Sequence, residues 1–97
     1  MLLRFRPEVG DETLTAIRDG LLALGHLVPE VRRITFGPNL APEREAWPWV
    51  IVVDVDDLPA LERYAIHPAH QRVLTELVRP NLAGRLAADV EVMSRGS

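Results

Sequence analysis

The chain contains no cysteine and no lysine, so all 11 of its Lys and Arg residues are arginine. Without cysteine there is no disulfide frame, no thiolate nucleophile and no cysteine-based zinc site. Without lysine, Schiff-base chemistry on a lysine amine is excluded. Aromatics make up only 5% of the chain: two Trp, two Phe and one Tyr. The longest apolar run, Trp49 to Val53, is far shorter than the ~20 residues a membrane-spanning helix needs. Met1 to Glu8 holds no apolar stretch of the kind a secretory signal carries. The expectation is a cytoplasmic protein with no membrane partner. The net charge is -3, and the arginines come with neither an RNA-binding aromatic motif nor a helix-turn-helix pattern, so no nucleic-acid partner is expected.

At 97 residues, 47% of them hydrophobic, the chain is long enough for one domain with one modest core. We place that domain at 1–93, with a tail at 94–97. Leu2 to Arg6 alternates as a short strand. Asp11 reads as an N-cap before Leu14, Ile17, Leu21 and Leu24, which recur at helical spacing, and Gly25 sits where a glycine would stop the helix. Val31 to Gly37 alternates again. Trp47 to Val55 is apolar on both faces through its middle and so is expected to be a central, doubly covered strand. Asp57 and Pro59 open a second helix, with Leu58, Leu61 and Ala65 as its buried stripe. Pro68 divides it from a third, which carries Val73, Leu74, Leu77 and Val78 at core spacing. Leu86 to Met93 reads as the last strand, with Leu86, Ala88, Val90 and Val92 on one face.

The order β-α-β-β-α-β predicts an α+β, ferredoxin-like protomer with a four-stranded antiparallel sheet. One sheet face lies under the helices. A lone protomer would leave the second apolar face of Trp49 to Val53 in water, and such a patch usually marks an interface. The expected partner is therefore a second copy of the chain, giving a homodimer of facing sheets.

The residues that carry chemistry are few. His70 falls in the first turn of the helix opened by Pro68, where the helix dipole favours a neutral imidazole suited to act as a general base. Tyr64 lies about one turn earlier, and its phenol can donate a hydrogen bond that stabilises an enolate. Two readings stand: a catalytic pair for proton transfer beside a carbonyl, or packing at the helix junction. His67 reads as a cap before Pro68. Arg4, Arg33, Trp49, Asp89 and Glu91 are expected on the sheet face away from the helices, either as an ion-pair network or as an anion site. His67, Arg4, Arg33 and Trp49 are taken as candidate ligand-binding residues. His67 and His70 lack a converging third ligand, so no metal is expected, and no cofactor.

Leu3-Arg4-Phe5-Arg6, Trp47 to Val55, Asp89-Val90-Glu91 and above all Tyr64-Ala65-Ile66-His67-Pro68-Ala69-His70 resemble the stress-responsive α/β-barrel family. The likeness runs from Leu2 to Val92. It implies a ferredoxin-like protomer that dimerises into an α+β barrel. Some members are polyketide cyclases that catalyse intramolecular aldol condensation, and related dimeric barrels include cofactor-free monooxygenases and lactone isomerases. In the cyclases the matching tyrosine and last histidine are catalytic, which points to Tyr64 and His70. Trp49 stands where the cyclases carry a histidine on the third strand. The resemblance thus implies a small hydrophobic or aromatic carbonyl compound as partner.

Overall fold

The computed structural model describes residues 1–92; Met93 and the tail at 94–97 lie outside the described residues. Four strands, β1 (Leu2–Phe5), β2 (Arg33–Pro38), β3 (Trp49–Asp54) and β4 (Leu82–Leu86), form one antiparallel sheet in the order β2-β3-β1-β4. Three helices, α1 (Asp11–Leu27), α2 (Leu58–Ile66) and α3 (Pro68–Val73), complete the ferredoxin-like order. The molecule is only 17 Å thick along its shortest axis. That thickness fits one sheet layer and one helix layer.

The core lies between those two layers. Leu3, Ile17, Leu21, Leu24, Val28, Val31, Ile51, Tyr64, Val73 and Val78 form one buried cluster. Register decides which strand residues join it. Leu3 pairs with Trp49, Phe36 with Ile51 and Ile34 with Val53. Because directly paired residues share a face, all six lie on the helix side. The opposite face carries Leu2, Arg4, Arg33, Thr35, Val50, Val52, Asp54 and Leu86. Val52 is 47% exposed and Leu86 53% exposed.

Four sequence expectations change. Gly25 does not stop α1, which runs on to Leu27 with Gly10 as its N-cap. A Cβ at Gly25 would stand 3.3 Å from Ile34 Cγ2, so this glycine lets the helix approach β2 closely. The buried residues of α2 are Ala60 and Tyr64, while Leu58 is 65% exposed. The helix rotates to bury the larger Tyr64, and Leu58 at its first position turns outward. Trp49 lies under the helices, because a two-residue period puts it on the side of Leu3 and Ile51. Finally, the last strand comes earlier in the chain, at Leu82–Leu86. Among the described residues, 87–92 pair with no strand. Within β4, Gly84 pairs with Arg4 of β1, and the Arg4 guanidinium lies over it, with Nη2 2.9 Å from where a Cβ would stand.

The junctions follow their local chemistry. The Asp57 carboxylate accepts from the Ala60 amide at 2.9 Å and caps α2. Pro80 cannot continue an α-helix, because its ring collides with the carbonyl four residues back. Ahead of it the backbone widens into a π turn over Leu74–Val78 and tightens into a 3₁₀ turn over Arg79–Asn81, leading directly into β4. Asp57→Ala is expected to lower unfolding stability by ~1 kcal/mol through loss of the cap. Leu24→Ala, at a fully buried position, is expected to cost ~2–5 kcal/mol. Urea denaturation followed by circular dichroism measures both.

Candidate functional site

The break between α2 and α3 builds the site. His67 adopts an extended backbone, with φ −62° and ψ 135°, as a residue before proline should. Its Nδ1 accepts from the Ala69 amide at 3.1 Å, so His67 caps α3. The break folds α3 back on α2. The Tyr64 and His70 rings meet with centroids 4.3 Å apart at a 38° tilt.

The hydrogen bonds fix how each ring can act. His70 Nδ1 lies 3.0 Å from the Ala65 carbonyl oxygen. A carbonyl only accepts, so Nδ1 carries the proton and the lone pair of a neutral ring sits on Nε2. Gln71 Nε2 donates to the same carbonyl. Burial lowers the His70 pKa below its ordinary 6.5, with the nearby Arg79 and His67 acting in the same direction and the Ala65 hydrogen bond opposing them. Burial pushes the Tyr64 phenol up to about 12, so it stays protonated at neutral pH. Among the described residues its hydroxyl has no hydrogen-bond partner. The pair therefore presents one neutral base and one free phenol donor.

The other candidates separate. Arg4 sits on the open sheet face, donates to the Ala46 carbonyl at 3.2 Å and lies 5.2 Å from the Trp47 ring centre. Arg33 lies on the same face, opposite Asp54 across β2 and β3. Asp89 and Glu91 lie beyond β4, so neither joins the sheet face that they were expected to share with Arg4. Trp49 instead stacks on Phe36, with centroids 5.3 Å apart and ring planes 13° from parallel. Together with Leu14, Thr15, Arg18, Gly37 and Pro38 these rings wall a cavity of about 250 Å³ between α1 and the sheet. A second cavity of about 230 Å³ is lined by Pro29, Glu30, Arg32, Asp56, Ala60 and Arg63. There Arg32 forms a two-pronged pair with Asp56 at 2.9 and 2.6 Å. Neither cavity is lined by Tyr64 or His70.

Phe36 and Arg18 were missed as site residues. The alternation of β2 had already put Phe36 on the side of Ile34, but its meeting with Trp49 needs the β2–β3 register, in which Pro38 faces Trp49. Nothing in local spacing marks Arg18.

The model of the stress-responsive A/B barrel domain matches residues 1–92. The chain belongs to that family. Among curated proteins none matches. The fold of this A/B barrel domain is similar to the crystal structure of an Arabidopsis thaliana protein, with a TM-score of 0.86 and 21% identity, over 96% of this chain and 91% of that one. It is also similar to a dimeric ferredoxin-like protein of unknown function from Jannaschia, with a TM-score of 0.76 and 28% identity over 94% and 93% of the two chains. A third likeness is to a dimeric ferredoxin-like protein of unknown function from Thermobifida fusca, with a TM-score of 0.74 and 26% identity over 88% and 79%.

The depressed His70 pKa makes stability depend on pH. The folded domain binds this proton more weakly than the unfolded chain does, so the contribution is complete above the unfolded value near 6.5 and is lost as pH falls towards the folded value. The expected outcome is a urea midpoint that falls between about pH 7.5 and about pH 5, with a shallower fall in His70→Gln.

Proposed function

We propose that this A/B barrel domain works as a homodimer that binds a small hydrophobic carbonyl compound. The observation that carries the ligand reading is the Phe36–Trp49 stack walling a cavity of about 250 Å³. Parallel aromatic faces, Leu14 and Pro38 favour an apolar, flat molecule. Arg18, at the wall, offers donors to a carbonyl or carboxylate oxygen. The volume lies just below the ~300 Å³ where drug-sized sites begin, which suits a single substituted ring. The homodimer reading rests on the open sheet face, where Leu2, Val50, Val52 and Leu86 are gathered by register, and on the dimeric state of the Jannaschia and Thermobifida fusca proteins.

A second reading is a cofactor-independent enzyme of the polyketide cyclase, isomerase or monooxygenase type. The contact between Tyr64 and His70 favours it. His70 Nε2 would take a proton from the carbon next to a carbonyl, and the Tyr64 phenol would donate to the developing enolate oxygen. His67, as a cap, would contribute only through the fold.

Sedimentation at micromolar concentration is expected to show a dimer, and a stable monomer would overturn that part. In Trp47→Phe, which leaves Trp49 as the reporter, an aromatic ketone is expected to quench fluorescence on binding. Adding Phe36→Ala should weaken that binding by ~10-fold, the value of a lost aromatic pair; an unchanged Kd would remove the cavity from the reading. If the domain turns over a carbonyl compound, His70→Ala is expected to lower kcat by ~100-fold or more, whereas His67→Ala is spared. Equal rates for wild type and both variants would rule out the catalytic pair.

A further inference from the structure

The cavity of about 230 Å³ beside the Arg32–Asp56 pair takes no part in the function proposed above. Three stretches of chain build it. Glu30 and Arg32 come from the turn between α1 and β2, Asp56 follows β3, and Arg63 stands on α2. The Arg32 amide donates to the Asp54 carbonyl at 2.8 Å and holds the turn beside the end of β3.

The four charged side chains are unequally satisfied. Arg32 and Asp56 complete each other, with Nε and Nη2 donating to the two carboxylate oxygens. Glu30 and Arg63 do not. Arg63 Nε lies 3.6 Å from Glu30 Oε1, beyond the ~3.2 Å reach of an N–H···O hydrogen bond. Glu30 Oε2 is shut off from solvent and has no hydrogen-bond partner among the described residues. The Glu30 side chain is only 17% exposed, against 59% for Arg63. Glu30 has therefore lost water without gaining a donor, which is costly for a carboxylate. Such a group calls for a donor that the chain itself does not supply.

The charges of the cavity also limit that donor. Two arginines and two acids cancel, so a singly charged ion gains little from the site as a whole. A ligand carrying both charges gains from each unfinished group. Glu30 and Arg63 approach to 3.6 Å, which suits an ammonium and a carboxylate attached to one carbon. Longer amino acids with the amine at the far end hold their charges too far apart. Pro29 and Ala60 supply the apolar part of the wall.

We propose that this cavity binds a free α-amino acid with a small aliphatic side chain, its ammonium donating to Glu30 and its carboxylate accepting from Arg63. The Glu30 carboxylate turns about its broad last torsion to present an oxygen to the ammonium. A weak, partly exposed ion pair is then exchanged for two charge-assisted contacts. The Arg32–Asp56 pair keeps the turn and the start of α2 in place around them.

The test is calorimetric titration of the full chain with L-valine, and with isobutylammonium and isovalerate, each of which lacks one of its charged groups. L-Valine is expected to bind with a Kd of about 1 mM or tighter. The two single-charge compounds are expected to bind at least ~10-fold more weakly, each having lost one charge-assisted hydrogen bond. Glu30→Gln and Arg63→Gln are each expected to weaken L-valine by a similar factor, with the fold checked by circular dichroism. If Glu30→Gln fails to fold, Arg63→Gln, at a largely exposed position, decides alone. The absence of saturable L-valine binding would overturn this inference. Isovalerate binding as tightly as L-valine would make the cavity an anion site, and isobutylammonium doing so would make it a cation site; either overturns the amino-acid assignment. Wild-type affinity in both variants would place the ligand elsewhere and overturn it as well. None of these outcomes bears on the Phe36–Trp49 cavity or on the dimer.

Discussion

The pairing of Leu3 with Trp49 across β1 and β3 sets the rest of the molecule. Side chains alternate strictly along a strand, so this one register puts Leu3, Ile51, Val53 and Trp49 under the helices and leaves Leu2, Val50 and Val52 outside. A shift by one residue would exchange the two sets. Both sets of β3 are apolar, so the strand is compatible with either assignment. Leu3 makes the choice: it is almost completely buried, while Arg4 beside it must face outward.

That choice divides the domain into two chemical regions. On the helix side the strand residues meet Ile17, Leu21 and Leu24 of α1, and at the edge of this layer Phe36 and Trp49 stack to form the aromatic wall. On the other side an apolar centre is flanked by Arg4, Arg33 and Asp54. Arg4 is held by the Ala46 carbonyl and the Trp47 ring, and so is not an uncompensated charge on the surface where a second copy is proposed to dock. The size limit of a 97-residue chain is therefore a limit on the protomer, because the sheet has one finished face and one unfinished one.

The Tyr64–His70 pair depends on a different local constraint. Pro68 forbids a continuous helix through 64–70, and the extended His67 turns the chain. The two rings then meet without being neighbours on one helix. The carbonyl of Ala65, left without a helical donor at the end of α2, is taken up by His70 and Gln71. The same backbone group that ends one helix thus fixes the tautomer of the histidine on the next.

Much of this was legible in the sequence. The element order, the Asp57 cap, the break at His67 and Pro68 and the family likeness carried by Tyr64 to His70 are local properties, set by proline geometry, capping chemistry and side-chain period over a few residues. Tertiary structure decided what local properties leave degenerate. Gly25 carries the same signal whether it ends a helix or lets one approach a strand, and only the position of Ile34 distinguishes the two. Trp49 belongs to whichever face the register selects. Leu86 to Val92 keeps its alternation, but alternation specifies a strand only when a neighbouring strand supplies the hydrogen bonds, and within one chain β4 ends at Leu86. A sequence sets which backbone conformations are inexpensive; partners distant along the chain decide which of them is used.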